Sequence, residues 1–281
     1  MRKVAMADES RRSWIDSTQP RPVRLTVWEP DVEGPTPLTL LSHGTGGQVS
    51  DLTWLARALV AEGHTVIGVD HHGNNAQDKY LPEGFAFVWE RPRDLSFALD
   101  WALKELSIDE ARISAAGFSL GGYTCAALAG AKIDPEVFGN ILQGDSPMPP
   151  LPEMPDLRNR LAQRYPGPAL AAVFADAGAD VADPRIGRIA MLAPSVGRLV
   201  TEESLSNVTV PALVLWGGAD TNAAPALNAQ RYEALMPHAS GRSMGDDVKH
   251  YWWVQDHHEG EKLRREAWAE LSGFLTGVSA T

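Results

Sequence analysis

The chain is 281 residues long and carries 25 Lys and Arg against 36 Asp and Glu, a formal net charge of −11. Its 44% hydrophobic and 22% charged fractions exclude a disordered, fibrous or collagen-like protein, and the acidic balance argues against nucleic acid as a partner. A lone Cys125 excludes an internal disulfide and a cysteine zinc site. There is no run of about 18 apolar residues to span a membrane. Residues 1–20 lack the apolar core of a secretory signal, so a cytoplasmic location is expected.

Residues 23–28 alternate apolar and polar and predict a half-buried strand near a sheet edge. Residues 29–37, with Pro30, Gly34, Pro35 and Pro37, predict a turn. Residues 38–41 form a short apolar run, a buried strand leading into His43-Gly44-Thr45-Gly46-Gly47. Ser50 or Asp51 then caps an amphipathic helix that Gly63 ends. A second buried strand is predicted at 65–69. The loop at 71–90 is too long for a plain connection, and loops of that size tend to be functional.

A helix over 91–106 has Pro92 in its first turn. It precedes a strand at 112–117 and a helix of small residues at 119–131. Residues 134–184 differ in kind: 145–155 contains five prolines, and 158–183 is alanine-rich and helical in pattern. Alternation then resumes, with strands at 186–192, 212–216 and weakly 240–244. Helices are predicted at 202–206, 224–236 and 261–275. The pattern is that of an α/β fold with a mostly parallel central sheet and helices on both faces. Residues 1–133 and 185–281 make the core domain, and 134–184 is expected to be a helical lid insertion over the strand ends.

Gly117-Phe118-Ser119-Leu120-Gly121 matches G-x-S-x-G, with Gly122 next, and stands between a strand and a helix. That context is the one a nucleophile elbow requires. Small residues flank the serine because the turn is crowded, and the helix N-terminus offers free amides and a positive dipole end. An ordinary N-cap serine is the alternative. The amide of Leu120 is expected to be one oxyanion donor. The amide of Thr45, in the glycine loop after an earlier strand, is the other.

Behind such an elbow the acid follows the serine in the chain, and the histidine follows the acid. The strand end after 191–192 offers no acid. The one after 213–216 gives Gly217-Gly218-Ala219-Asp220, so Asp220 is expected to be the acid. Among the histidines after the serine, His238 sits at the wrong edge. His250 stands at the expected strand end and is taken as the base, with His257 and His258 as the alternative. His64 and His238 are expected to be surface or capping residues.

These residues resemble the α/β-hydrolase superfamily over essentially the whole chain. The segment 21–30, the glycine loop, Arg91-Pro92-Arg93-Asp94 and Asp183-Pro184-Arg185-Ile186 look like the dienelactone-hydrolase-like group, which includes proteins similar to platelet-activating-factor acetylhydrolase. The resemblance implies a serine hydrolase of esters, lactones or similar acyl substrates with no cofactor. Dienelactone hydrolases proper use a cysteine nucleophile, so Ser119 does not imply that activity. An amide or lactone hydrolase, an acyltransferase or a catalytically silent binding protein are the alternatives.

Trp89, Trp216, Tyr251 and Trp252 are expected to wall an apolar pocket for a small-molecule acyl substrate. The net charge weakly disfavours a strongly anionic one. The pairs His71-His72 and His257-His258 are poor evidence for a metal, and no metal is expected.

Overall fold

Leu38, Leu40, Leu41, Val66, Ile67 and Val69 have no solvent contact on either side of their strands. Such strands are stable only when helices cover both faces of the sheet. The computed structural model describes residues 1–146 and 151–277. In it these residues form β3 and β4 of an eight-stranded sheet.

In chain order the elements begin with β1 (Arg2–Arg12), β2 (Pro20–Trp28), β3 (Thr36–Ser42), α1 (Thr53–Ala61) and β4 (Thr65–Asp70). Next come α2 (Pro82–Ala86), α3 (Glu90–Glu105), β5 (Ile108–Phe118) and α4 (Leu120–Leu128). Helices α5 (Pro135–Gln143), α6 (Leu157–Arg164) and α7 (Pro168–Phe174) follow without a strand. The chain ends with β6 (Arg188–Leu192), α8 (Glu202–Ser206), β7 (Ala212–Trp216), α9 (Ala229–Leu235), β8 (Ala239–Ser243) and α10 (His258–Thr276).

The strand order is β1-β2-β4-β3-β5-β6-β7-β8. The pairs from β4 through β8 are parallel, and β1 and β2 pair antiparallel. One face packs on α1 and α10 through Leu55, Leu59, Leu263, Ala267 and Leu271. The other packs on α3, α4 and α9, with Leu95, Leu99, Tyr123 and Tyr232 at its centre.

The strand at 23–28 stands one place in from the edge, near it as expected, and β1 lies outside it. Strand β1 is mostly exposed and rich in charge, the composition that keeps an open edge from pairing with another chain. It therefore carries no apolar run to reveal it. The segment 71–90, expected to be too long for a plain connection, contains α2, started by Pro82.

The stretch 158–183 is not one helix. Pro168 begins a new one after Gly167, whose φ is +60°. Pro147, Pro149 and Pro150 of the proline-rich stretch lie outside the described residues.

Strand β2 runs opposite to β4, with Arg24 paired to Asp70. The start of β2 therefore lies at the same edge of the sheet as the carboxyl ends of the parallel strands. That edge is where ligands bind in open α/β sheets.

Candidate active site

Ser119 follows β5 directly and precedes α4. Its φ of +53° and ψ of −115° are unusual for a non-glycine residue. The turn holds because its neighbours are glycines. A Cβ on Gly117 would stand 2.2 Å from the Gly121 carbonyl oxygen, and one on Gly121 only 1.9 Å from that of Ser42. A Cβ on Gly122 would press on Pro194 at 2.8 Å. The Ser119 amide donates to the Leu192 carbonyl at 2.9 Å, which ties the turn to β6.

Asp220 reaches the site through a second close approach. A Cβ on Gly217 would lie 2.3 Å from the Val248 carbonyl oxygen, and one on Gly218 2.7 Å from Asp246 Cα. The paired glycines let the turn after β7 lie against the segment 245–248. The Gly218 amide donates to Gly245 at 2.8 Å and the Ala219 amide to Val248 at 3.0 Å. This docking sets His250, at the start of a short 3-10 helix, beside Asp220.

His250 Nδ1 lies 2.6 Å from Asp220 Oδ2, and its Nε2 lies 3.0 Å from Ser119 Oγ. All three residues are buried. The other oxygen of Asp220 accepts from the amides of Asn222 at 2.9 Å and Ala223 at 2.8 Å. A carboxylate so held accepts the Nδ1–H of a neutral imidazole, which leaves Nε2 to accept the serine proton. Phe118 lies against the His250 ring, at 4.9 Å between centroids.

The glycine loop lies alongside. A Cβ on Gly44 would be 3.4 Å from Ser119 Cβ. The loop is pinned from behind. Arg91 Nη2 donates to the His43 carbonyl. The His43 ring bonds to the Gly44 carbonyl at 2.6 Å. Asn74 accepts the Gly46 amide at 2.7 Å, and the Tyr80 hydroxyl donates to the Gly46 carbonyl at 2.6 Å. Among the described residues the amides of Thr45 and Leu120 have no acceptor. The Leu120 amide is the first of α4, where an intrahelical partner is absent by geometry.

A buried polar chain backs this loop, and its role was not visible in the sequence. Asp94 is held by Arg21 at 2.8 and 3.1 Å and by Arg11 at 2.8 Å. It also accepts from His71 Nδ1 at 3.0 Å. His71 Nε2 lies 3.0 Å from Ser42 Oγ, which accepts in turn from Arg91 at 3.3 Å. Burial and the nearby Arg91 push His71 down to about 3, so its ring is neutral. Although burial disfavours its charge, the guanidinium groups of Arg21 and Arg11 hold the Asp94 carboxyl well below the usual range. Burial lowers Arg91 to about 9, so it remains a cation at neutral pH. The R-P-R-D run at 91–94 is the signal the sequence carries for this polar chain, through its likeness to the dienelactone-hydrolase-like group.

Of the four aromatics expected to wall a pocket, only Tyr251 meets the site, edge-on to His250 at 5.2 Å between centroids. Trp89 is buried in the core, stacked on Phe87 at 5.3 Å and edge-on to Phe138 at 5.7 Å. The Trp216 ring lies toward Gly241 of β8, where a Cβ would meet it at 2.8 Å. Trp252 packs under α10 and meets His257 at 5.7 Å. For Trp252 the reason is geometric: successive residues of the 3-10 helix His250–Trp253 are about a third of a turn apart, so neighbours of His250 cannot all share its side.

His257 caps α10 through its Nδ1, which accepts from Gly260 at 3.0 Å. His64 is buried against Thr39 at 3.1 Å rather than lying at the surface. His71 and His72 turn to different partners, Asp94 with Ser42 and Ser13 with Trp14. Among the described residues no group of three His, Cys, Asp or Glu could hold a metal ion. No helix there is long and apolar enough to cross a membrane.

The fold is shared with solved structures. One is an alpha-beta serine hydrolase homologue from Coxiella burnetii, with a TM-score of 0.58 and 16% identity over 96% of this chain and 97% of that one. This is the α/β-hydrolase fold. A CIB-like hydrolase from Thermoplasma acidophilum aligns with a TM-score of 0.50 and 16% identity, over 89% of this chain and 92% of that one. The sequence matches no protein-family model and no curated protein. Within the α/β-hydrolase fold, Ser119 occupies the turn after the central strand β5, and Asp220 and His250 follow β7 and β8.

Proposed function

We propose that this chain is a serine hydrolase that cleaves a carboxylic ester, or a related acyl bond, of a partly hydrophobic small molecule. The observation that carries the reading is the continuous contact from Ser119 Oγ through His250 to Asp220, at 3.0 and 2.6 Å. In this reading Ser119 Oγ attacks the carbonyl carbon while His250 Nε2 takes its proton. Asp220 holds the imidazole tautomer and stabilises the imidazolium. The Thr45 and Leu120 amides donate to the oxyanion, and loss of one such donor costs about 3 kcal/mol in the transition state. His250 then protonates the leaving alcohol, and water attacks the acyl-enzyme with His250 again as base.

The insertion 134–184 serves as a lid in the same reading. Its support is α6, whose Arg164 and the following Tyr165 both bond to the buried Glu83 of α2. The direct experiment combines a fluorophosphonate probe with p-nitrophenyl esters of graded chain length. Labelling of the folded protein that vanishes in Ser119→Ala supports the reading. Folded protein that neither labels nor hydrolyses any ester overturns it.

A further inference from the structure

We propose that Glu153 makes this site select acyl substrates bearing a cationic group close to the ester and turn away anionic ones. The inference rests on the serine-hydrolase reading and names its substrate class.

Glu153 comes from the insertion, just before α6, and stands over the glycine loop. A Cβ on Gly46 would lie 3.0 Å from Glu153 Cγ and equally 3.0 Å from Tyr80 Oη. Two residues back, Gly44 lies against Ser119. On the histidine side of the site stands Tyr251, 39% exposed and edge-on to the His250 ring. Glu153 acts electrostatically on both phenol groups, Tyr80 on one side and Tyr251 on the other. The carboxylate over the glycine loop therefore carries its field to both phenols.

Two further observations give it a task. Glu153 is half-buried, and among the described residues its carboxylate has no hydrogen-bond or ion-pair partner. The charged groups acting on Tyr80 are Glu153 and Asp51, and those acting on Tyr251 are Glu153 and Asp220. All are acids. Burial first, and then these negative charges, hold both phenols above their usual range. Arg91 does not offset them, because its fork is spent behind the loop on the His43 carbonyl and Ser42.

An unpaired carboxylate beside one phenol and within the field of a second suits an ammonium group. The carboxylate supplies the charge, and the ring faces add cation–π attraction. A carboxylate-bearing substrate meets repulsion at the same place. The net charge of −11 steers approaching ions in the same sense.

The test uses three p-nitrophenyl esters matched in size, whose acyl chains end in trimethylammonium, tert-butyl or carboxylate. The kcat/KM of each is measured for the wild type and for Glu153→Gln. In the wild type we expect the cationic ester to exceed the neutral one by about tenfold, and the neutral to exceed the anionic by a similar factor. In Glu153→Gln both ratios should fall to about twofold, and high salt should shrink the wild-type ratios. Wild-type ratios near one, or ratios that survive Glu153→Gln, overturn the inference alone. Absent turnover of the neutral ester together with absent fluorophosphonate labelling overturns the hydrolase reading and this inference with it.

Discussion

Buried Arg91 donates from Nη2 to the backbone carbonyl of His43. That bond holds the start of the loop whose next residues lie against Ser119. In Arg91→Met the carbonyl is left buried and unpaired, at a cost of about 1–3 kcal/mol, and the loop is free to shift. We expect kcat on p-nitrophenyl esters to fall by about tenfold to a hundredfold, because small misplacements at a reacting centre are costly. KM should change far less. Steady-state kinetics beside a melting curve separates the two effects, and unchanged kcat in a folded variant would show that the loop does not depend on this bond.

Asp94 joins the buried Arg21 and His71 and the partly exposed Arg11. Removing one charge of such a cluster leaves the others uncompensated, so Asp94→Asn should lose about 3–5 kcal/mol of stability. Urea unfolding measures this directly. A midpoint equal to the wild type would mean that the guanidinium groups find other partners.

His250 and Asp220 share a 2.6 Å contact, with the carboxylate fixed by two further amides. Asp220→Asn keeps the shape but presents the wrong partner to Nδ1–H. We expect kcat to drop by roughly 10⁴ with the fold intact. Circular dichroism and ester turnover on the same sample check both halves. His250→Ala should be equally inactive, and activity retained there but lost in His257→Ala would move the base to α10.

Two glycines offer a contrast. Gly121→Ala drives a Cβ to 1.9 Å from the Ser42 carbonyl oxygen, a backbone clash that no side chain can relieve. Gly130 has φ of +112° and nothing within 4 Å of its Cβ position. Gly130→Ala should therefore cost only the strain of a positive φ, about 1–3 kcal/mol. Gly121→Ala should abolish soluble expression or lower Tm far more, and a smaller effect at Gly121 than at Gly130 would contradict the packing described.

Burial holds His64 and His72 down to about 4 and His71 to about 3, with nearby arginines acting in the same direction. Unfolded, each would titrate near 6.5. Between pH 6.5 and 5 the unfolded chain therefore binds more protons, and stability falls as pH falls, by up to about 1.4 kcal/mol per unit per histidine. Asp51 and Asp70, raised first by burial, oppose this only at lower pH. Tm should decline from pH 7 to 5, and a flat profile would rule out these neutral buried rings.

The parallel strands were legible because continuous Leu, Val, Ile and Ala runs suit only strands buried on both faces. Ser119, Asp220 and His250 could be singled out because strand ends are where such a fold displays its side chains. What stayed hidden was pairing between distant residues. Arg21, Asp94, His71, Ser42 and Arg91 form one chain of bonds in which Arg21 and Asp94 are 73 positions apart. Nothing local in Asp94 says that Arg21 lies against it. The aromatic side chains next to Asp220 and His250 in the sequence are hard to place for a related reason, since closeness in sequence does not fix which way a ring turns. Strand β1 stayed hidden because an edge is kept polar.

That edge strand bears on how the protein can be trimmed. A chain begun at Pro20 would keep Ser119, Asp220, His250 and the glycine loop. It would lose Arg11, and with it one of the two guanidinium groups that balance Asp94. The bonds from Asp94 run on through His71 and Ser42 to the loop beside the serine. Residues 2–12 thus act as the outermost brace of the rim that carries Ser119, and their removal would be felt four strands away.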